Sequence, residues 1–253
     1  MNINTSTKYP PIAIGCCFYR RPNNYQAIIH SIEQMAFSYY GEVQAFIYFS
    51  GERQEIASTY IDKMKFEFRN MFTFDFGHNR LAEPKYMMPL ISDKTFIFTI
   101  DDDCVFERNT LTVLMDTYQN IQDINYENSV YTPVGWFGTV LNNGELITPI
   151  EGRYNLRLGE IQQVDYLGSC GCLYRREILE DKQLIYENWP SFIGAASDLW
   201  LSFLIDTKYK VTMYITGLNK IDLPEFGHSL WDDHNKKEFQ NIVKQLVLAC
   251  WGK

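Results

Sequence analysis

The first 105 residues alternate between apolar runs and segments whose apolar residues recur at helical spacing. The runs are continuous, which is typical of strands buried on both faces of a sheet. The predicted strands span 11–18, 43–49, 71–76 and 96–100, and two predicted helices span 54–68 and 84–91. Another helix is predicted after Asn24, with an apolar face formed by Ala27, Ile28, Ile32 and Met35. Asn24 is a predicted cap of the first helix. Strands alternating with helices indicate βαβ units, a mostly parallel sheet and an α/β fold.

The second half has shorter apolar runs and more turn residues. Extended apolar segments span 129–134, 136–141 and 210–214, a glycine-interrupted one spans 164–174, and predicted helices span 109–121, 175–179 and 197–204. An amphipathic segment at 230–248 predicts a C-terminal helix. Because no repeat or linker divides the chain, we expect one domain, 1–253. Its parts are a sheet-forming half at 11–105, a smaller subregion at 106–235 and a terminal helix within 236–253.

Composition limits the classes of function. The 253 residues are 46% hydrophobic, which is enough for a substantial core. The net charge of −8 argues against a nucleic-acid-binding protein, which needs a basic face to neutralise phosphates. The sequence has no apolar run of the roughly 18–20 residues that cross a bilayer, and its polar N-terminus lacks the apolar core of a signal peptide. We therefore expect a cytoplasmic protein without a transmembrane segment.

The cysteines are scattered along the chain and give no metal or redox motif. They are Cys16, Cys17, Cys104, Cys170, Cys172 and Cys250. Neither an adjacent pair nor a C-x-C pair has the C-x-x-C spacing of zinc and redox sites. We expect reduced and mostly buried thiols.

The strand predicted at 96–100 runs directly into Asp101, Asp102 and Asp103. Three adjacent carboxylates repel one another, and a fold keeps them where something offsets the charge, most commonly a divalent cation. The alternative is a solvated turn that happens to be acidic. The abrupt change from apolar strand to aspartates favours the cation site.

Polar residues also follow the other predicted strands. Tyr19, Arg20 and Arg21 follow the first strand, Ser50 the second and His78 the third. In open parallel sheets ligands bind beyond the carboxyl ends of the strands. We therefore expect these residues and the aspartate triplet to converge on one site.

This ordered set of parts resembles the GT-A glycosyltransferases. The resemblance rests on the strand ending in Phe18-Tyr19-Arg20-Arg21-Pro22, the parallel α/β half and the aspartate triplet, and covers roughly 11–235. The segment 164–176 is similar to the acceptor-side strand and helix of the inverting, family-2-like branch. Asp198, which begins a predicted helix, looks like that branch's catalytic carboxylate. The branch usually has a glutamate before this aspartate, and Ser197 stands there instead.

The resemblance implies a function and a set of site residues. It implies a Rossmann-like sheet with an acceptor-side subregion, a UDP- or GDP-sugar as sugar donor, a glycan or other hydroxyl as acceptor, and Mn²⁺ or Mg²⁺ to neutralise the leaving diphosphate. Asp103 is the expected direct metal ligand. Asp101 is the expected contact to the ribose or the sugar and a second candidate metal ligand, and Asp102 is a candidate contact to the metal or the sugar. Some members add a C-terminal histidine to the metal, which nominates His228. Asp198 is the expected general base, the alternative being a helix-capping aspartate.

The residues after the first two strands usually hold the nucleotide in this fold. They are Cys17, Phe18, Tyr19, Arg21 and Ser50. An aspartate that often reads uracil after the second strand is absent here, so the base stays open between uridine and guanosine. Arg80 and Lys85 are candidates for the diphosphate, with solvated surface cations as the alternative.

Two other classes of function remain open from the sequence. A sugar nucleotidyltransferase also joins a Rossmann-like sheet to metal-binding carboxylates, but usually has a glycine-rich basic loop after its first strand, and 18–24 has no glycine. A non-catalytic carbohydrate-binding protein would not need three carboxylates at a strand end together with a distant aspartate.

Overall fold

The structure is a computed structural model. It describes residues 8–18, 21–49, 71–75, 84–124, 129–142, 145–146, 150–151, 156–168, 170–181 and 197–223. The helices predicted at 54–68 and 230–248 lie outside these ranges. Within them, every helix is too short or too polar to cross a membrane.

The first half follows the predicted alternation. Its elements are β1 (Ile12–Phe18), α1 (Tyr25–Ser38), β2 (Val43–Phe49), β3 (Met71–Asp75), α2 (Pro84–Met87) and β4 (Phe96–Asp101). A 3₁₀ turn at Pro22–Asn24 leads into α1, and another at Met88–Ile91 follows α2. The four strands begin and end within one residue of their predicted bounds, because a continuous apolar run ended by polar residues marks a buried strand clearly.

The second half contains many short elements. They are β5 (Cys104–Phe106), α3 (Thr110–Ile124), β6 (Val134–Gly135), β7 (Phe137–Thr139), β8 (Leu141–Asn142), β9 (Glu145–Leu146), β10 (Ile150–Glu151), β11 (Ile161–Val164), β12 (Tyr166–Leu167), β13 (Cys172–Arg175), α4 (Arg176–Glu180), α5 (Ser197–Tyr209), β14 (Met213–Thr216) and β15 (Lys220–Asp222).

Three predicted segments of this half, 129–134, 197–204 and 210–214, differ from the structure. The segment 129–134 is a 3₁₀ turn at Ser129–Tyr131 followed by strand only from Val134, because Pro133 lacks the N–H that a strand ladder needs. Helix α5 continues to Tyr209, past its predicted end. Lys210 then has a left-handed φ of 54°, and the last strand begins at Met213 rather than at Lys210.

Eight strands form one mixed and mostly parallel sheet in the order β11-β14-β6-β13-β4-β1-β2-β3. Strand β1 pairs in parallel with β2 and β4, and β2 with β3, as the βαβ pattern predicts. Strand β13 runs antiparallel between β4 and β6, and joins the second half to the first. The carboxyl ends of β1, β2, β3 and β4 therefore share one edge of the molecule.

The core occupies both faces of this sheet. Side chains alternate along a strand, so Ile12 and Ile14 pack with α1 and α3 on one face, while Ala13 packs with α5 on the other. All seven residues of β1 are buried. Double burial explains why this strand reads as an unbroken apolar run.

Helix α2 crosses β1 in close contact at Gly15. A Cβ atom on Gly15 would overlap the carbonyl oxygen of Lys85 and press on Pro89. Glycine at this position therefore lets the α2 backbone lie against the sheet, which brings the side chain of Lys85 to the end of β4.

Candidate functional site

Asp101 ends β4 beside Cys17 of β1, and Asp102 and Asp103 form the turn that leads into β5. The side chains of Asp101 and Asp103 are each 35% exposed, whereas that of Asp102 is 8% exposed. The three aspartates therefore divide into two that a ligand can reach and one that is part of the interior.

The buried aspartate is held by residues from the end of β1. Arg21 donates from Nη1 to Oδ1 of Asp102 at 2.7 Å, and the same nitrogen lies 3.1 Å from Oδ2 of Asp103. Asn24 donates from Nδ2 to the backbone carbonyl of Asp102 at 2.9 Å. Asn24 occupies the N-cap position of α1, as predicted, but its side chain makes no capping bond there and instead holds the triplet turn.

Asp101 is held from the other side by Lys85. The Lys85 ammonium donates to Oδ1 of Asp101, and its side chain is 2% exposed. Burial alone would lower the pKa of Lys85, but the Asp101 carboxylate, with smaller contributions from Tyr86 and Cys170, raises it, and the pKa stands well above its ordinary value. Lys85 is therefore a buried cation, not the solvated surface lysine of the alternative interpretation.

The third aspartate, Asp103, has a raised pKa. Burial raises its pKa above the ordinary value, the neighbouring Asp101 carboxylate raises it further, and Arg21 opposes the rise. A bound divalent cation would favour the ionised carboxylate. Asp103 thus has the electrostatic environment of a residue short of positive charge.

Two buried cations pair with the aspartate triplet. Arg21 pairs with Asp102 and Asp103, and Lys85 pairs with Asp101. These ion pairs join residues that are distant along the chain, so no local sequence pattern predicts them. They offset part of the repulsion among the three carboxylates.

The candidate base, Asp198, lies in the first turn of α5 and is positioned by β12. Its Oδ2 accepts a hydrogen bond of 2.6 Å from the hydroxyl of Tyr166. One helical turn later, Ser202 accepts from the backbone N–H of Leu167 at 3.1 Å and donates to the carbonyl of Leu167 at 3.3 Å. Since residues four apart share a helix face, the docking of Ser202 on Leu167 brings Asp198 to Tyr166.

The hydroxyl of Tyr166 has a shifted pKa. Burial raises this pKa well above its ordinary value, and the carboxylates of Asp198 and, to a smaller extent, Asp101 raise it further. The partly buried phenol therefore stays protonated and able to donate to Asp198. The sequence did not single out Tyr166; its only signal was a hydroxylated aromatic within the segment 164–169 that carries the resemblance.

The remaining predicted residues fall into two groups. Cys17 is buried, and Phe18 stacks on Phe49 at 5.6 Å and contacts Tyr25, so the ring of Phe18 belongs to the core. Any nucleotide contact at these two positions would come from the backbone. Tyr19, Ser50, His78, Arg80 and His228 lie outside the described residues.

Comparison with known proteins identifies the fold. No protein-family model and no curated protein sequence matches the chain. The crystal structure of S. aureus TarS 1–349 in complex with UDP-GlcNAc matches 95% of this chain at a TM-score of 0.64 and 12% identity. A structure of TarS 1–349, and one of its complex with UDP, match 83% and 82% at TM-scores of 0.55 and 0.56 and 11% identity.

These matches confirm the GT-A-type fold that the sequence predicted. The chain spans 66%, 58% and 58% of the lengths of the three TarS structures. At sequence identities of 11–12%, the structural match supports the fold but not the activity, which has to be argued from the site.

Proposed function

We propose that this chain is a glycosyltransferase that moves a sugar from a nucleoside-diphosphate sugar to a hydroxyl group of a glycan or other acceptor. The observation that carries the proposal is the presence of two carboxylate sites in one fold. The partly exposed side chains of Asp101 and Asp103 form the first at the end of β4, and the carboxylate of Asp198, held by the Tyr166 hydroxyl, forms the second. Displacement at an anomeric carbon needs both functions.

The sugar donor binds at the carboxyl ends of β1 and β4 in this proposal. The match to a protein crystallised with UDP-GlcNAc makes UDP-sugars the first to test, and GDP-sugars the second. Asp101 contacts the ribose or sugar, with its carboxylate oriented by Lys85. Arg21 supports the nucleotide site through Asp102, and Cys17 and Phe18 contribute backbone groups. Tyr19, Ser50 and Arg80 remain predicted contacts.

The residues fit a divalent cation. Asp103 and Asp101 offer partly exposed carboxylate oxygens, the ligand type that Mg²⁺ and Mn²⁺ prefer. Asp103 would be the direct ligand, and His228 remains a predicted further ligand. When bound, the cation supplies positive charge for the leaving diphosphate.

Asp198 is the general base of the proposed reaction. Its carboxylate accepts the proton of the acceptor hydroxyl while the oxygen attacks the anomeric carbon, and the bond to the diphosphate breaks on the opposite face. This direct displacement inverts the anomeric configuration. Tyr166 fixes the orientation of the carboxylate, which is a positioning role. A spectrum of the product that resolves the anomers tests inversion, and retention would remove Asp198 from this role.

The assignments are tested by measuring sugar transfer from UDP- and GDP-sugars with and without Mn²⁺. Asp103→Ala is expected to lose both transfer and its stimulation by Mn²⁺. Asp198→Asn is expected to bind the sugar donor normally while turnover falls by about 10²–10⁴-fold. Asp206→Asn is a matched control on the same helix and is expected to keep full turnover.

Two outcomes would contradict these assignments. An Asp103→Ala variant with wild-type activity and metal response would remove the metal assignment. A folded Asp198→Asn variant with near-normal turnover would remove the base. Release of pyrophosphate from a nucleoside triphosphate and a sugar phosphate, in place of sugar transfer, would favour a nucleotidyltransferase.

A further inference from the structure

Two thiols meet beside Asp103, on residues that the proposed transfer reaction does not use. Cys104 begins β5, Cys170 lies in the turn before β13, and their sulfur atoms are 2.9 Å apart. One oxygen of Asp103 and the two sulfurs all lie within 4.8 Å of one another. Cys104 is buried, whereas Cys170 and Asp103 are partly exposed, so the cluster can be reached from the Asp103 side.

The fold holds this cluster from several directions. Gly171 has a left-handed φ of 68°, and its N–H donates to the carbonyl of Thr99 on β4 at 2.6 Å. The indole N–H of Trp136 donates to the carbonyl of Cys170 at 2.5 Å. A side chain on Gly171 would overlap the rings of Phe106 and Trp136, so the tight turn that presents Cys170 to Cys104 requires glycine here.

We infer that Asp103, Cys104 and Cys170 form a binding site for a thiophilic divalent cation such as Zn²⁺ or Cd²⁺. Thiolate sulfur selects such soft cations over Mg²⁺ and Mn²⁺. Two thiolates and one carboxylate leave a fourth, open position in the tetrahedral geometry that Zn²⁺ prefers. The two thiols lose their protons to solvent as the metal–sulfur bonds form.

The geometry needs one small adjustment. Two sulfurs that each lie about 2.3 Å from a tetrahedral metal are about 3.8 Å apart. The distance between the sulfurs of Cys104 and Cys170, now 2.9 Å, must therefore increase by about 0.9 Å. Cys104 is fixed in the interior, and the partly exposed Cys170 is the side chain that can turn.

Lys220 supplies charge balance. Three anionic ligands around a divalent cation carry one net negative charge, which an ammonium group offsets. Lys220 lies 4.0 Å from the centre of the Trp136 ring and pairs with Asp222 at 2.7 Å. Burial would lower the pKa of Lys220, but Cys104, Cys170 and Asp222 raise it above its ordinary value.

This site is separate in chemistry from the proposed metal of the transfer reaction but shares Asp103 with it. A soft cation bound to the thiols would occupy a ligand that the hard cation needs. Its binding can be measured without any catalysis, so failure of the glycosyltransferase proposal would leave the test intact.

The test is an anaerobic titration of the reduced 253-residue chain with Cd²⁺, in which binding is followed by thiolate-to-metal charge-transfer absorption in the ultraviolet. We expect a saturable band at one Cd²⁺ per chain that excess Mg²⁺ does not remove. Cys104→Ser and Cys170→Ser should each weaken binding by at least about 100-fold, since even changes to groups around the ligands cost about 10–100-fold. Asp103→Asn should keep the band and weaken binding by at least about 10-fold.

Cys172→Ser is the matched control. Cys172 lies two residues from Cys170, but its side chain packs in the hydrophobic core on the other face of the sheet. This variant should therefore bind Cd²⁺ as the wild type does. The absence of a saturable band in the wild type, or an equal band in the Cys104→Ser and Cys170→Ser variants, would overturn the inference.

A measurement on the wild type alone covers the case in which a serine variant does not fold. Alkylation of Cys170, followed by mass spectrometry, should slow at least about tenfold in Cd²⁺ and stay unchanged in Ca²⁺. An equal alkylation rate in both metals would also overturn the inference.

Discussion

At the scale of single residues, the three adjacent aspartates have three different surroundings. Asp102 is buried against Arg21, Asp101 is held by the buried ammonium of Lys85, and Asp103 keeps a partly exposed carboxylate with a raised pKa. The outer two can meet a ligand because the middle one anchors the turn. An acidic cluster in a sequence is therefore not a set of equivalent ligands.

The buried pair predicts a stability effect at Arg21. Arg21→Leu leaves the Asp102 carboxylate buried without its cation, and we expect a loss of about 3–5 kcal/mol in the free energy of unfolding. The double variant Arg21→Leu/Asp102→Leu should recover part of that loss, because it removes both charges. Urea denaturation of the two single variants and the double variant measures the coupling. Strictly additive losses would show that the pair does not act as a unit.

The hydrogen bond at Asp198 predicts a kinetic effect at Tyr166. Tyr166→Phe removes the hydroxyl that orients the carboxylate, and we expect kcat to fall by about 10-fold or more while KM for the sugar donor changes little. Tyr118→Phe is the control, because its hydroxyl bonds the carbonyl of Val130, outside the proposed site. Unchanged kcat in Tyr166→Phe, or equal losses in both variants, would contradict the positioning role.

At the scale of secondary-structure elements, the site depends on two close approaches. Helix α2 lies against β1 at Gly15, which brings Lys85 to Asp101. Helix α5 docks on β12 through Ser202, which brings Asp198 to Tyr166. In each case a small residue sets the distance between two backbones, and the functional side chain follows from it.

The approach at Gly15 gives a testable consequence. Gly15→Ala would force α2 away from the sheet, and we expect it to destabilise the protein by about 1–3 kcal/mol and to weaken binding of the sugar donor. Gly135→Ala is a matched control in a strand, since its added Cβ would meet the end of the Leu167 side chain at 3.2 Å, a group that can move. Urea unfolding compares the two. An equal or smaller effect at Gly15 would contradict the close packing.

At the scale of the whole molecule, the sheet gathers residues that are distant along the chain. The parallel strands bring Arg21, Lys85 and the triplet to one edge, and the antiparallel strand β13 attaches the half that carries Tyr166 and Asp198. The match to TarS 1–349 covers 95% of the chain and so includes both halves. The proposed function is a property of both halves together.

Joint binding of nucleotide sugar and metal should therefore stabilise the molecule. A UDP-sugar with Mn²⁺ at about 100 times its Kd adds about 2.7 kcal/mol, and for a chain of this size we expect Tm to rise by about 5–10 °C. Either component alone should give a smaller rise, and Asp103→Asn should remove the extra rise due to Mn²⁺. Thermal denaturation measures these shifts. Equal shifts with and without Mn²⁺ would contradict metal-assisted binding.

The sequence by itself determined the parallel half, the aspartate triplet at a strand end and the GT-A-type fold. Continuous apolar runs mark strands buried on both faces, and their order along the chain restricts the topology. Short elements of the second half were less predictable, as at 129–134, because a run of two or three residues carries little periodic signal. Tertiary structure alone decided that Arg21 and Lys85 pair with the triplet, that Asn24 anchors the turn, and that Tyr166 holds Asp198. These are contacts between distant positions, and no local pattern encodes a partner that only the folded chain brings near.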